Sequence, residues 1–218
     1  MNIIIVGSGA VAAELTSYID DNNEHSRSEK ISLLGYLDSK ENEDKYWAKY
    51  KLKKPVLGDV ESYEIKEDDN FLIGIADIKF RHTIIGILQK RNARIAGFIH
   101  YSSIVSETAQ LGLGNIIYPF CIIGPNCILG DFNLITGYSY ISHDCAVGNN
   151  NFFSTAGLSG KVTIGNNNFF GMRSAVIPQV VLGSNNVIQA GMILDKNVED
   201  NAIIFHRFKE RITIIEKE

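Results

Sequence analysis

The spacing of aliphatic residues in the second half of the chain leaves few folds open. Stepping by six from Val105 meets Leu111, Ile117, Ile123, Leu129, Ile135, Ile141, Val147 and Phe153. The register slips by one residue at Gly157-Leu158. Stepping by six then meets Leu158, Ile164, Phe170, Val176, Leu182, Ile188 and Leu194. Every one of these positions is apolar in a chain that is 45% hydrophobic, so chance explains the series poorly. A six-residue unit reads as one short strand and one tight turn, and three units close a triangular coil of about 18 residues with the aliphatic side chains stacked inside. Glycine often follows the aliphatic residue (Gly112, Gly124, Gly130, Gly148, Gly165, Gly171, Gly183), and Asn or Asp often follows the glycine. These residue types accept turn and left-handed conformations at little steric cost. An antiparallel sandwich would instead alternate with period two. The repeat therefore predicts an all-β left-handed parallel β-helix from about Val105 to Val198, roughly five coils. It lies within a second domain of residues 101–218. The slip is expected to interrupt the stacking.

The first hundred residues carry a different pattern and are read as a separate, small Rossmann-like α/β domain with a parallel sheet. Ile3-Ile4-Ile5-Val6 is a buried-strand run that leads directly into Gly7-Ser8-Gly9-Ala10-Val11 and a helical stretch. Bare N–H groups at a helix N-terminus after such a glycine turn can hold a phosphate. A second strand, Ile31–Leu37, ends in Asp38, and an acidic residue there commonly accepts hydrogen bonds from a nucleotide. Phe71–Ile75 reads as a third strand, about Asp77–Lys90 as a helix, and Arg94–Ile99 as a fourth strand. Four strands make about half of a full dinucleotide fold, which favours a mononucleotide or a nucleotide-sugar over NAD. Asn42 to Lys54 reads as a surface loop or lid with no specific signal.

Net charge, cysteines and hydropathy narrow the setting. The formal charge of −4 gives no general surface for nucleic acid. No apolar run approaches the ~20 residues that span a bilayer. The N-terminus lacks a basic flank and reads as a strand rather than a signal peptide. Three cysteines in 218 residues suit a reducing compartment, so the expected location is cytoplasmic. Cys121, Cys127 and Cys145 each fall four residues past a ladder position and are expected inside the coil. With no Cys-x-x-Cys pair or histidine at ligand spacing, no metal site is expected.

Of five histidines, only His143 occupies an informative place. It follows ladder residue Ile141 by two and precedes Asp144, at a turn with its side chain outward. A carboxylate beside an outward imidazole orients the ring and supports a general base. The same pair also suits an idle surface histidine. His100 closes the fourth strand, where capping or packing is expected. His25 is placed in a polar loop, His82 on a helix surface and His206 in the tail. Ser142 and Cys145 lack a glycine elbow or third triad member, so covalent catalysis is not expected.

The order of these motifs resembles a known family. Gly7-Ser8-Gly9, the strand end Gly35-Tyr36-Leu37-Asp38, the junction Phe98-Ile99-His100 and then Ile141-Ser142-His143-Asp144 in a hexapeptide β-helix are similar to the bacterial nucleotide-sugar N-acetyltransferases. That family acetylates UDP-, dTDP- or GDP-linked 4-amino-4,6-dideoxy sugars for surface glycans such as lipopolysaccharide, and includes sialic-acid-pathway relatives. The resemblance spans nearly the whole chain. It implies acetyl-CoA as co-substrate, a homotrimer with each active site between two β-helices, and no membrane partner. It implies His143 as general base and Asp144 as its orienting partner. Gly7, Ser8, Gly9, Ala10, Val11, Asp38, Gly74 and Ile75 would hold the nucleotide-sugar, and Gly160, Met172 and Gly191 would line the pantetheine arm. The chain departs from the family in three places. Tyr101 stands where proline usually follows the junction histidine, Phe152 replaces a second histidine, and Phe205-His206-Arg207-Phe208-Lys209 replaces the usual tail closure. Lys209 and Arg211 would then be left to meet the CoA phosphates. The same base could serve an O-acetyltransferase acting on a sugar or serine hydroxyl. A non-catalytic nucleotide-sugar binding protein is the third reading.

Overall fold

A computed structural model of the chain describes residues 1–26 and 30–205. The N-terminal domain is a four-stranded parallel sheet in the order β2-β1-β3-β4, built from β1 (Asn2–Val6), β2 (Ser32–Leu37), β3 (Asn70–Ile73) and β4 (Arg94–Ile95). Helix α1 (Ala10–His25) follows β1, and helix α3 (Ile78–Lys90) joins β3 to β4. Ile3, Ile4, Ile5 and Val6 are all buried, as a central parallel strand requires. Helix α1 turns Ala12, Leu15 and Ile19 onto the core, an i, i+3, i+7 face. Asp77 caps α3, its side chain accepting from the Phe80 N–H at 2.7 Å.

The β-helix has three faces. The first holds seven strands, the second six and the third five, all parallel. Eighteen strands, three to a coil, make six coils, against the five expected. Two rungs lie beyond the expected limits, Phe98–Ile99 at the start and Ile203–Ile204 at the end, and the first of them comes from splitting the expected fourth strand. Arg94–Ile95 stays in the N-terminal sheet, while Phe98–Ile99 pairs with Ile116–Ile117 as the first rung of the β-helix. Gly97 sits between them. The ladder residues are buried from Ile117 to Leu194, and only Val105 and Leu111, on the first coil, are partly exposed.

The slip at Gly157-Leu158 does not interrupt the stacking. Leu134 pairs with Phe152, 18 residues on, and Phe152 pairs with Phe169, 17 residues on. Tyr140↔Gly157, Ile141↔Leu158 and Val147↔Ile164 then continue in register. The turn at Thr155, between the first and second faces, absorbs the missing residue. The rings of Phe153 and Phe170 stack at 4.4 Å directly across it.

The repeat glycines act differently from the sequence expectation. The left-handed backbone falls three residues past most ladder positions, at Phe120, Asn126, Phe132, Tyr138, Asp144 and Asn150 among others, with φ between 54° and 62° at these six. The glycines directly after the ladder are not in that region. They are small because the next coil lies on top of them. A Cβ at Gly130 would sit 2.1 Å from Asn149 Oδ1, and one at Gly112 would sit 2.7 Å from the backbone carbon of Gly130.

The corner between the third and first faces is held by a buried polar ladder of Asn115, Asn133, Asn151, Asn168 and Asn186. Asn151 shows the pattern. Its N–H and side-chain amide donate to Asn133 Oδ1 at 2.9 and 3.1 Å, the amide also donates to the Gly165 carbonyl, and its own Oδ1 accepts from Asn168. From Asn115 to Asn168 each side-chain amide thereby satisfies turn carbonyls that burial would otherwise orphan, whereas the buried Asn186 Nδ2 at the last rung has no such partner among the described residues. At the other two corners the equivalent interior positions are small or apolar, and Cys121, Cys127 and Cys145 lie there, buried and free, as expected. Burial pushes the Cys121 and Cys145 thiols up to about 11, so neither is an activated nucleophile.

The two domains share one core, in which Leu15 and Ile19 join Ile116 and Tyr118. Arg81 of α3 crosses the junction to Asn150 Oδ1 (2.8 Å) and the Asn151 carbonyl (3.1 Å). His100 is buried there, with Nε2 3.0 Å from Asp21 and Nδ1 2.8 Å from Ser102 Oγ. Burial depresses its pKa, against the opposing pull of Asp21. This is the packing role expected of it. His25 is the last residue of α1 rather than a loop residue, with Nδ1 2.9 Å from Asp21.

Candidate functional site

Two constellations emerge, one on each domain. The first is a cavity of about 500 Å³ at the carboxyl edge of the N-terminal sheet, where ligands of open parallel sheets sit. Gly7, Gly9, Ala10, Val11, Asp38, Gly74 and Ile75 all line it. Gly7 has φ +101°, and a Cβ there would meet the Gly74 carbonyl at 3.0 Å, so only glycine closes this turn without strain. No side chain caps α1, which begins at Ala10 after Gly9. Its first turn, at Ala10 and Val11, lies in the cavity lining without a side-chain cap, an arrangement that can receive an anion.

Ser8 is the exception among the expected contacts. It is fully buried, and both its N–H and its hydroxyl donate to Asp38 Oδ2 at 2.7 Å. Asp38 Oδ1 in turn accepts from Ser39 N–H and from Asn42 Nδ2, each at 2.8 Å. A carboxylate offers about four acceptor sites, and all four are taken. Asp38 thus braces the glycine turn against the segment after β2 and has little capacity left for a nucleotide hydroxyl. A hydrogen bond to a charged group contributes about 1.5–3 kcal/mol. Ser8→Ala is accordingly expected to weaken about tenfold the binding of a nucleotide in this cavity, read by calorimetry with a free nucleoside diphosphate as the probe.

The segment expected to be a featureless loop forms the cavity's outer wall. Helix α2 (Lys40–Asn42) continues into a π-helical turn over Glu43–Trp47, and Asn42, Tyr46, Lys49 and Tyr50 line the cavity. Lys45 lies over the Tyr46 ring and Lys49 over the Tyr50 ring. The sequence did hold a signal, since Lys45/Lys49 and Tyr46/Tyr50 are both i, i+4 pairs. The wall brings two aromatic rings and a cation to the same cavity lining as the helix N-terminus.

The second constellation lies on the corner between the second and third faces of the β-helix. His143 Nδ1 is 2.8 Å from Asp144 Oδ2, and both side chains are about half exposed (54% and 41%). Asp144 itself takes the left-handed position of the turn, with φ +57°. The hydrogen bond from His143, then that from Asn126, holds the Asp144 carboxyl below the ordinary carboxylate range. Because Nδ1 is engaged by the carboxylate, Nε2 is the ring atom available for proton transfer.

Gly160, expected along the pantetheine arm, stands beneath this ring. A Cβ on Gly160 would lie 2.5 Å from His143 Nε2 and 2.6 Å from Cε1. On the strand just before it, a Cβ on Gly157 would lie 2.2 Å from the Tyr140 ring. Both rings thus occupy the space over a glycine of the coil that follows them. Met172 and Gly191 occupy a different corner, between the first and second faces, where the Gly191 N–H donates to the Met172 carbonyl at 2.8 Å. Met172 is exposed and Gly191 has φ +73°. The second face, with Tyr140 and Ala175 on its outer side, separates them from His143. Phe152 is buried on the first face and stacks on Phe169 at 5.2 Å. His206, Lys209 and Arg211 lie outside the described residues. Among the described residues no His, Cys, Asp and Glu group is arranged to hold a metal ion.

A small parallel α/β domain with a glycine-turn cavity, joined through one core to a left-handed parallel β-helix bearing an outward His-Asp pair, defines the architectural class of this chain. Solved structures share that whole architecture. PerB from Caulobacter crescentus, solved with CoA and GDP-perosamine, superposes with a TM-score of 0.78 at 20% identity over 93% of each chain. The acetyltransferase domain of PglB from Neisseria gonorrhoeae FA1090 gives 0.76 at 18% identity, covering 92% of this chain and 96% of that one. WeeI from Acinetobacter baumannii AYE gives 0.69 at 16% identity, covering 93% and 96%. No family model matches the sequence. At these identities the likeness establishes the fold.

Proposed function

We propose that the protein is an acetyl-CoA-dependent N-acetyltransferase acting on a nucleotide-linked amino-sugar of the 4-amino-4,6-dideoxy type. The observation that carries the reading is the pairing of a nucleotide-sized cavity with an outward His143-Asp144 dyad whose Nε2 is free. PerB, which has the same architecture, was solved with CoA and a GDP-linked amino-sugar, and this supports the choice of substrates. In this reading the sugar amine attacks the thioester carbonyl of acetyl-CoA and a C–N bond forms. His143 Nε2 takes the amine proton as the tetrahedral intermediate develops, and Asp144 stabilises the imidazolium. The C–S bond breaks, and the proton passes to the departing CoA sulfur. No covalent enzyme intermediate is required.

The glycine turn Gly7–Val11 and the first turn of α1 would hold the diphosphate, while Lys49 and the Tyr46 and Tyr50 rings would close over the nucleotide. Gly160 would act through His143 rather than as a stretch of pantetheine groove, with Met172 and Gly191 left for the cofactor arm. We also propose a homotrimer. Ile104, Ile122, Tyr140 and Ile193 form an exposed apolar row on the outer side of the second face, the kind of patch that marks an interface. The three free thiols support a cytoplasmic location, and no helix among the described residues is long and apolar enough to cross a membrane.

A panel of UDP-, dTDP- and GDP-linked amino-sugars, assayed for thiol release from acetyl-CoA, tests the function. At least one 4-amino-4,6-dideoxy substrate is expected to be turned over. Release with hydroxyl acceptors alone would move the assignment to an O-acetyltransferase. Absence of acetyl-CoA binding by calorimetry at millimolar ligand would leave only nucleotide-sugar binding.

A further inference from the structure

We infer that Asn126 is a positioning residue for the His143-Asp144 dyad, an inference that rests on the acetyl-transfer reading. Asn126 occupies the same corner as Asp144, one coil earlier, and both hold left-handed backbone with φ +57°. Its Nδ2 donates to Asp144 Oδ1 at 3.1 Å. The other carboxylate oxygen faces His143 at 2.8 Å. A carboxylate at the surface with one engaged oxygen turns freely about its terminal torsion, which is broad and roughly two-fold. Anchoring Oδ1 from the coil behind selects the rotamer that aims Oδ2 at the imidazole.

Asn126 is itself fixed. Its backbone N–H donates to Thr108 Oγ1 at 3.0 Å, and the Asp144 N–H donates to the Pro125 carbonyl at 2.9 Å. On the far side, the Lys161 N–H donates to the His143 carbonyl at 2.9 Å. Three successive coils therefore clamp the dyad, and Asn126 contributes the only side chain among those clamping bonds that touches the carboxylate. Lys161, the next residue along this corner, is the charged group that faces Asp144 besides His143, and it too favours the ionised carboxylate.

The competing explanation is that Asn126 merely stacks one turn on the next. Asn150 and Asn167 do this at another corner, where Asn150 Nδ2 donates to Asn167 Oδ1 at 2.8 Å. The two roles separate experimentally. Glycine keeps the left-handed turn, so Asn126→Gly deletes the amide alone. Asn126→Asp replaces the donor by a second carboxylate. Both variants and the parent would be assayed for kcat and KM, and the Asp144 carboxyl would be titrated by carbon-13 NMR.

A positioning role predicts that Asn126→Gly lowers kcat about tenfold with KM for both substrates within about twofold. It also predicts that the Asp144 midpoint moves upward, further in Asn126→Asp than in Asn126→Gly, because a like charge disfavours ionisation. Wild-type kcat together with an unmoved Asp144 midpoint in Asn126→Gly would reduce Asn126 to turn stacking and overturn the inference. A parent that transfers no acetyl group at all would refute the functional reading instead. The titration would then decide on its own, and an unmoved midpoint would again overturn the contact.

Discussion

His143→Ala is expected to lower kcat by about a thousandfold, the middle of the range for removing a positioned general base, while KM for both substrates stays within about twofold. That factor corresponds to about 4 kcal/mol of transition-state stabilisation. The split between kcat and KM follows from the geometry. The ring is half exposed, its Nδ1 is tied to Asp144, and Nε2 is the atom left to meet a proton that moves only during reaction. Stability should barely change, because an exposed turn side chain contributes little to the core. A melting temperature within a degree or two of the parent would confirm that the loss is chemical. Initial rates within threefold of the parent would remove His143 from the mechanism. The pH dependence has a defined sign. Hydrogen bonding depresses the Asp144 pKa, so the ionised partner is present throughout the range above ordinary carboxylate titration and is lost only as pH falls below it. Loss of activity between pH 5 and 7 would therefore not be due to Asp144 protonation.

The β-helix was legible because its cause is periodic. A side chain stacked in a prism must be apolar every six residues, and one strand-turn unit cannot bury it alone. What the repeat did not disclose is where each turn bends. Glycine after the ladder was read as the flexible residue, whereas Asn126, Asp144, Asn150 and even Phe120 and Tyr138 carry the left-handed backbone. Position in a coil overrode residue preference, since the neighbouring coils determine each turn and glycine is demanded where backbones nearly touch. The slip misled for the same reason. A missing residue looks like a break in a one-dimensional register, but in three dimensions one corner turn tightens and both flanking strands keep their partners.

The candidate site was legible where it depends on local motifs and opaque where it depends on contacts across elements. Gly7–Val11 and Gly74-Ile75 converge on one cavity, as a strand-turn-helix unit dictates. That Ser8 would turn inward and saturate Asp38 depends on the 39–42 segment folding back, which no short-range pattern encodes. The wall of Asn42, Tyr46, Lys49 and Tyr50 went unread because its one signal, the i, i+4 pairs Lys45/Lys49 and Tyr46/Tyr50, spans little more than a turn and shows no sustained amphipathic period. Asn126 and Asp144 are 18 residues apart, so their contact appears only after the coil length is known.

Gly160→Ala carries the other large effect, and it separates the two roles open to that residue. Had Gly160 only lined a pantetheine groove, a methyl group there would weaken acetyl-CoA binding and raise its KM. The structure instead places that methyl 2.5 Å from His143 Nε2, far inside van der Waals contact. All three of the nearest atoms belong to the His143 ring. Relief is therefore available by swinging the imidazole outward, without moving backbone. The fold should survive with little change in melting temperature. The displaced ring should lose its alignment with Asp144 and with the acceptor amine, and a misplacement of about 1 Å costs roughly a hundredfold in rate. Kcat is expected to fall by about that factor, with KM for acetyl-CoA within about threefold. In a double variant carrying His143→Ala as well, Gly160→Ala should cost almost nothing further, because the atom it displaces is gone. A full hundredfold additional loss in that background would mean that Gly160 touches the cofactor directly, and the ring-seating role would fall.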